Sequence, residues 1–149
     1  MSVDLKIAEP LAQALNKKGY DTLTAVQEAV MAPDTADRDL LVSAQTGSGK
    51  TVAFGLALAS SLLDEAGLLP VAETPLALII APTRELAVQV RKELEWLYEA
   101  AGGRIASCIG GMDMRDERRA LSTNPHIVVG TPGRLIDHLH RNSLDISEV

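Results

Sequence analysis

A glycine-rich run in the first third of the chain has the composition of a phosphate-binding loop: Ala44-Gln45-Thr46-Gly47-Ser48-Gly49-Lys50-Thr51. Alanine occupies the position where the general pattern has its first glycine. The glycines allow backbone N–H groups to converge on phosphate oxygens, Lys50 can reach the β- and γ-phosphates, and the Thr51 hydroxyl can ligate Mg²⁺. The run therefore predicts binding of a nucleoside triphosphate with its magnesium ion.

The flanking sequence separates this prediction from its plain alternative, an ordinary Gly/Ser turn that happens to be followed by Lys-Thr. Leu40-Leu41-Val42 is predicted to form a short buried strand before the loop, and the residues from Lys50 to about Ala66 are predicted to be helical. A strand before the loop and a helix after it are the context that such a match requires. The context therefore favours the phosphate site.

The rest of the chain repeats this alternation of short aliphatic runs and helical patterns. Further strands are predicted at 77–80, 105–109 and 127–129. Helices are predicted at 9–18, from 24 onward, and at 84–101, 114–121 and 134–141, with Gly19 in a left-handed conformation after the first. Strands that alternate with helices imply an α/β fold, a parallel sheet with helices on both faces, in one domain over residues 1–149.

Loops that follow the strands of such a sheet are where ligands bind, and these loops have distinctive sequences. Pro82-Thr83-Arg84-Glu85-Leu86-Ala87, Gly110-Gly111 and Thr131-Pro132-Gly133-Arg134 follow the three later strands, while Gly19 to Gln27 precedes the phosphate loop. Thr83 and Thr131 each precede a helix, where hydroxyl and free N–H groups can hold phosphate oxygens.

Each of these segments also has a purely structural explanation. Thr24-x-x-Gln27 matches a helix capping box, and the capping role and a ligand role can hold together. Arg84 and Glu85 fit the exposed first turn of a helix, and Pro132-Gly133 fits a turn. These explanations suffice for each segment taken singly, but not for the whole set in this order.

Taken together, the segments resemble the first recA-like domain of DEAD-box RNA helicases, most closely bacterial members of the cold-shock type, from about Gly19 to Asp145. The resemblance implies a recA-like P-loop NTPase fold, incomplete at its C-terminal end, and an ATP-dependent RNA helicase as the parent protein. By this resemblance Tyr20, Thr22 and Gln27 belong to the Q motif and line the adenine pocket. It also implies contacts with the RNA sugar-phosphate backbone from Pro82, Thr83, Arg84, Gly110, Gly111, Thr131, Pro132, Gly133 and Arg134.

The chain departs from the family pattern at both ends. The family usually carries an isolated aromatic residue upstream of the Q motif, where this chain has Met1-Ser2-Val3. The sequence given ends at Val149, where the family would continue into the strand of its Asp-Glu-Ala-Asp motif and later into a second recA-like domain. We therefore expect this chain to bind adenine nucleotide and to be inactive by itself.

Charge limits the mode of RNA contact. The net charge of −6 and a pI near 5.0 argue against a domain that coats nucleic acid by bulk electrostatic attraction, so RNA contact is expected to be local and weak. Arg115, Arg118 and Arg119 alternate with Asp113, Asp116 and Glu117, and this mixture predicts a solvated helix face.

The remaining residues indicate a cytoplasmic protein. Cys108 is the single cysteine, predicted to be a small buried hydrophobe, and the N-terminus lacks the basic and apolar segments of a signal peptide. No apolar run is long enough to cross a membrane. His138 and His140 are predicted to point opposite ways on a helix, which argues against a shared metal, and Trp96 is predicted to pack rather than stack on a base.

Other classes of function stay open at this point. A DNA-directed helicase would share the phosphate loop without the Q motif and the Pro-Thr-Arg-Glu-Leu-Ala segment, both of which are present. A nucleotide kinase would need substrate-binding arginines and a lid that the sequence does not reveal. A noncatalytic nucleotide-binding module is the main alternative for the chain as it stands.

Overall fold

A computed structural model describes residues 6–149, so the position of the expected upstream aromatic, Met1 to Val3, lies outside the described residues. Its sheet has three strands, β1 (Ala77–Ile80), β2 (Ile105–Cys108) and β3 (Ile127–Gly130), in the order β1-β3-β2. Both pairings are parallel, with Ile127 of β3 level with Ala77 and with Ile105. Parallel strands place the loops that follow them at one edge of the sheet.

Helices follow the predicted order. They are α1 (Glu9–Lys17), α2 (Ala25–Val30), α3 (Lys50–Leu62), α4 (Arg84–Tyr98), α5 (Met114–Leu121) and α6 (Pro132–His140). Gly19 has φ +78° after α1, as predicted. None of the described helices combines the length and apolar character that a membrane crossing requires.

The two faces of the sheet bury separate apolar clusters. Ile127 and Val129 of β3 pack with α1, α3 and α4, whereas Val128 between them packs with Leu121 of α5 and Leu135 of α6. This alternation follows from the two-residue period of a strand, and all of β3 is buried because it is the central strand. The prediction of a parallel sheet with helices on both faces is confirmed.

The helix that carries the phosphate loop is held by α4. Tyr98, fully buried, donates a hydrogen bond from its hydroxyl to the carbonyl of Gly55 in α3, at 2.6 Å. A Cβ at Gly55 would collide with the side chains of Leu97 and Leu94, so glycine allows the two helices to approach closely. The packing therefore fixes α3 relative to the sheet.

The predicted strand Leu40-Leu41-Val42 is wrong. These residues have no regular secondary structure, the Leu41 side chain is fully exposed, and no backbone hydrogen bond joins residues 39–43 to another described residue. A strand is stable only beside a partner, and the described strands pair only with one another. The prediction of four strands is therefore corrected to three strands within residues 6–149.

The end of α3 also differs from the prediction. The helix stops at Leu62 and not near Ala66, because Leu63 is extended and Asp64 begins a turn. The Asp64 carboxylate accepts hydrogen bonds from the backbone N–H groups of Ala66 and Leu68, both at 2.9 Å. An aspartate that binds nearby backbone donors in this way competes with helix propagation.

Candidate functional site

The phosphate loop forms a tight turn that leads into α3. Gly47 and Gly49 have φ of +81° and +85°, values at which a side chain would be strained, and Ser48 N–H donates to the Gln45 carbonyl at 3.2 Å. Helix α3 begins at Lys50 without a side-chain cap. The N–H groups of its first turn therefore lack intrahelical partners and are suited to bind an anion.

Polar groups within the loop fit a phosphate ligand. Lys50 Nζ donates to the Ala44 carbonyl at 2.6 Å, which holds the ammonium against the loop. Ser48 Oγ is buried and has no hydrogen-bond partner in the described part of the chain. Buried hydroxyls without partners are costly, so a ligand oxygen at this position would be favoured.

Gln27 connects the segment before α2 to the phosphate loop. Its side chain is only 5% exposed; Oε1 accepts from Thr24 N–H at 3.0 Å, and Nε2 donates to the Gly49 carbonyl at 3.3 Å. Thr24 Oγ1 in turn accepts from Gln27 N–H at 3.4 Å, so the predicted capping box is present. The box aims the Gln27 amide at the loop.

Tyr20 and Thr22 border the same open groove as Gln27 and the phosphate loop. Tyr20 is half-exposed, and its ring meets the edge of Trp96 with centroids 5.9 Å apart. Trp96 packs against the main core and under Lys18 Nζ, 5.2 Å from the ring centroid. Packing is thus the role of Trp96 here, as predicted.

The three loops after the strands meet at the carboxyl edge of the sheet. Thr83 caps α4 by accepting from Leu86 N–H at 3.2 Å, whereas Thr131 caps α6 without a side-chain bond. The Arg84 guanidinium lies beside the Gly110-Gly111 turn, so closely that a Cβ at Gly111 would be 3.0 Å from Nη1. Three segments that are far apart in sequence thereby form one polar surface: Pro82 to Arg84, Gly110-Gly111 and Thr131 to Arg134.

The prediction that Glu117 lies on a solvated helix face is wrong, because its carboxylate is buried and hydrogen-bonded. Its neighbours Arg115, Arg118, Arg119, Asp113 and Asp116 are exposed as predicted, but Glu117 is 1% exposed. Its Oε2 accepts from the N–H groups of Ile109 at 2.9 Å and Gly110 at 3.4 Å. Its Oε1 accepts from Arg134 Nε at 2.6 Å and lies 2.9 Å from His138 Nε2.

These contacts determine the ionisation of Glu117. Burial by itself would raise the pKa of its carboxyl, but hydrogen bonds from His138, Arg134 and the Ile109 N–H, with the charge of Arg134, lower that pKa below its usual value. Glu117 is therefore a carboxylate at neutral pH and pairs with Arg134. An apolar neighbour at Leu121 and the four-residue helical spacing were the available signals for its inward orientation.

A cluster of Cys108, Glu117 and His138 places possible metal ligands within 4.8 Å of one another. His138 is fully buried whereas His140 is exposed, so the two point opposite ways as predicted. The Glu117 oxygens accept bonds from Ile109, Gly110, Arg134 and His138, and His138 Nδ1 lies 2.8 Å from Ser143 Oγ. The donors and acceptors of Glu117 and His138 are therefore engaged with protein groups, and the Cys108 side chain is buried beside them.

Cys108 is expected to be unreactive in the folded chain. Burial, with a smaller effect of the Glu117 charge, raises the pKa of its thiol to about 12, and its side chain is inaccessible. Ellman's reagent at about pH 8 should react slowly with native protein and at once with protein unfolded in guanidinium. Reaction of the native thiol as fast as that of the unfolded one would contradict the buried placement.

Nucleotide-binding α/β proteins typically combine a parallel sheet, a glycine-rich loop that leads into a helix, and ligand-binding loops at the carboxyl edge of the sheet. Residues 24–149 match the family model for the DEAD/DEAH box helicase, and the chain belongs to that family.

Curated relatives include the DEAD-box ATP-dependent RNA helicase CshA of Bacillus subtilis, 36% identical over 98% of this chain, and the ATP-dependent RNA helicase DeaD of Escherichia coli, 42% identical over 98%. The chain spans 28% and 22% of the length of these relatives.

Solved structures agree with this assignment. A DEAD box protein from Methanococcus jannaschii superposes with a TM-score of 0.83 at 33% identity, over 98% of this chain and 38% of the other. The RNA helicase Prp28 from Chaetomium thermophilum, bound to ADP, gives 0.84 at 35% identity, over 98% and 35%. The recA-like fold implied by the resemblance is confirmed.

Proposed function

We propose that this chain is the ATP-binding part of an ATP-dependent RNA helicase that separates or remodels RNA duplexes. The observation that carries the proposal is the contact between Gln27 and Gly49, which joins the segment assigned to adenine to the loop assigned to phosphate. The printed names of the relatives, RNA helicases that use ATP, and the ADP bound to Prp28 support the same conclusion.

The phosphates of the nucleotide would be bound by the loop of Ala44 to Thr51 and by the first turn of α3. In this proposal the backbone N–H groups of residues 47–51 and the Ser48 hydroxyl bind phosphate oxygens, and Lys50 exchanges the Ala44 carbonyl for the β- and γ-phosphates. Thr51, the first-turn hydroxyl, would ligate Mg²⁺. Bound ATP supplies the free energy of phosphoanhydride hydrolysis.

Gln27 retains the capacity to recognise adenine while it caps α2. A primary amide has two N–H donors and an oxygen with two acceptor sites. The contacts with Gly49 and Thr24 use one donor and one acceptor. The remaining pair complements adenine, which offers N7 as an acceptor and N6 as a donor, whereas guanine offers O6 in place of N6. Capping and base recognition are therefore compatible.

RNA would be held at the carboxyl edge of the sheet, through its sugar-phosphate backbone. The arginines Arg84 and Arg134, the hydroxyls of Thr83 and Thr131, and the N–H groups of the Gly110-Gly111 turn suit phosphate oxygens and carry no information about base sequence. A helicase that acts on many duplexes needs this kind of contact. The second recA-like domain of the parent protein would complete the cleft.

A noncatalytic nucleotide-binding module is the second candidate. One observation favours it for the chain by itself: within residues 6–149, no carboxylate makes a hydrogen bond to the loop of Ala44 to Thr51. Hydrolysis of ATP requires a carboxylate that orients Mg²⁺ and a base that positions water. Both candidates require nucleotide binding and differ only in turnover.

The proposal predicts that the chain prefers ADP to GDP by about tenfold, since a matched bidentate pair is worth about 1–3 kcal/mol of discrimination. Gln27→Ala should bring the two affinities close together, because the adenine contacts are lost while the phosphate contacts stay. Isothermal calorimetry with both nucleotides measures the ratio. The ratio is the useful quantity, because loss of the helix cap weakens both nucleotides alike.

The matched control is Gln13→Ala, which removes an exposed glutamine whose side chain hydrogen-bonds only to Glu9 among the described residues. It should leave the ADP/GDP ratio unchanged. Equal affinities for ADP and GDP in the unmodified chain would remove Gln27 from the site and with it the adenine assignment.

A further inference from the structure

We infer that Glu117 is a positioning residue for RNA: it locks the Arg134 guanidinium and the Gly110-Gly111 turn into one fixed phosphate-binding surface. This inference rests on the proposed RNA contact of those residues and names a group that acts through them. Glu117 lies behind the surface, on α5, and is too deeply buried to touch RNA.

The two carboxylate oxygens of Glu117 accept hydrogen bonds from different segments of the chain. Oε2 receives the N–H groups at the end of β2, from Ile109 and Gly110, while Oε1 receives Arg134 Nε from α6. One rigid, planar group thus joins the turn after β2 to the helix after β3. No main-chain hydrogen bond joins the Gly110-Gly111 turn to Arg134 among the described residues.

Arg134 is held at two points and keeps most of its donors. Besides Nε to Glu117, its Nη2 donates to the Met112 carbonyl at 2.7 Å, and its side chain is 19% exposed. A guanidinium has five N–H donors, and these contacts use two of them. The others can bind phosphate oxygens from an orientation that is already fixed, which reduces the entropy lost on binding.

The support for Glu117 continues away from the surface. His138 Nε2 lies beside Oε1, and Ser143 Oγ lies 2.8 Å from His138 Nδ1. A buried carboxylate is tolerated only when it is paired and fully hydrogen-bonded, and four protein groups meet that condition here. Arg84 completes the arrangement because its guanidinium packs on the glycine turn that Glu117 holds.

Glu117→Gln tests this role with little change in volume. An amide cannot accept from Ile109 on one side and from Arg134 on the other, because one of its two ends is a donor. The variant should bind a short single-stranded oligouridine about tenfold more weakly, as measured by NMR titration, since one ordered phosphate contact is lost. Its affinity for MgADP should be unchanged.

Asp116→Asn is the matched control. It removes the same charge from the adjacent position, where the carboxylate is exposed and pairs with exposed Arg119 at 3.7 Å. RNA affinity should be equal to that of the unmodified chain or slightly higher.

Glu117→Gln should also reduce the slope of log affinity against log salt by about 0.7, the value for one lost contact with a single strand.

A double-mutant cycle with Arg134→Gln separates positioning from general damage. If Glu117 acts through Arg134, adding Glu117→Gln to Arg134→Gln should cause little further loss of RNA affinity. Arg134→Lys, which keeps the charge but cannot form the two-point contact, should lose as much as Arg134→Gln. If Glu117→Gln fails to fold, normal RNA affinity of Arg134→Lys would still contradict the inference.

Any one of four results would overturn the inference. Glu117→Gln could have the same RNA affinity as Asp116→Asn, or it could weaken the binding of RNA and of MgADP equally. Its loss of RNA affinity could add fully to that of Arg134→Gln, or Arg134→Lys could keep normal RNA affinity. In these cases the proposed function survives if Arg134→Gln still weakens RNA binding. If Arg134→Gln has no effect, the RNA surface itself is misassigned, and the role of Glu117 falls with it.

Discussion

Replacing Lys50 by alanine is expected to lower the affinity of this chain for MgADP and MgATP by about a hundredfold. Hydrogen bonds from a charged donor contribute about 1.5–3 kcal/mol each, and two orders of magnitude correspond to about 2.8 kcal/mol. Lys50 Nζ already lies on the loop, 2.6 Å from the Ala44 carbonyl, so little side-chain ordering opposes its transfer to phosphate. Isothermal calorimetry measures the change directly.

The control for this experiment is Lys92→Ala, which removes the same charge from an exposed position on α4. It should leave nucleotide affinity within about twofold of the unmodified chain, because exposed charges at a distance are screened by salt. A Lys50→Ala chain that is folded, as judged by circular dichroism, and binds ADP normally would exclude the loop as the phosphate site.

The second large expectation is a missing activity: the 149-residue chain, tested by itself, should show neither RNA-stimulated ATP hydrolysis nor unwinding. Binding becomes catalysis only when groups are placed where charge develops in the transition state. Within residues 6–149 the single cluster of possible metal ligands is Cys108, Glu117 and His138, which lies between β2, α5 and α6, whereas α3 packs on the opposite face of the sheet. We expect a bound nucleotide to be held without being hydrolysed.

Single-turnover hydrolysis of ATP, with and without oligouridine, tests this expectation against a control without protein. The Lys50→Ala chain is the matched variant, since it separates turnover at the loop from a contaminating ATPase. A rate well above the control that rises with RNA and vanishes in Lys50→Ala would contradict the expectation and favour a complete catalytic site within the chain.

The strand predicted at Leu40-Leu41-Val42 illustrates what sequence cannot supply. Its aliphatic residues have the same local pattern as β1, yet β1 has β3 beside it and this segment has no partner among the described residues. A strand depends on contacts that are distant in sequence, whereas α5 and α2 depend on local periodicity and caps. Accordingly α5 was predicted at its observed bounds and α2 with its Thr24 cap.

Within the site, the sequence identifies which residues take part, and the fold explains which of them lie close together. Motif spacing identified the loop residues, and the parallel sheet accounts for the convergence of Arg84, Gly110-Gly111 and Arg134 at one edge. Glu117 could not be separated from its exposed neighbours by composition, because its partners, Ile109 and Arg134, come from other elements. The Gln27 contact with Gly49 was equally invisible, since nothing in either segment specifies the other.

One NMR experiment tests the central claim most directly: titration of the ¹⁵N-labelled chain with MgADP and, separately, with oligouridine. The account predicts that MgADP shifts the amide signals of residues 45–51 and the side-chain amide of Gln27, while oligouridine shifts those of Thr83, Gly110, Gly111 and Thr131. The account would be contradicted if MgADP left the amide signals of residues 45–51 unchanged. It would also be contradicted if MgADP shifted the amide signals of Gly110 and Gly111 at lower concentration than those of the loop.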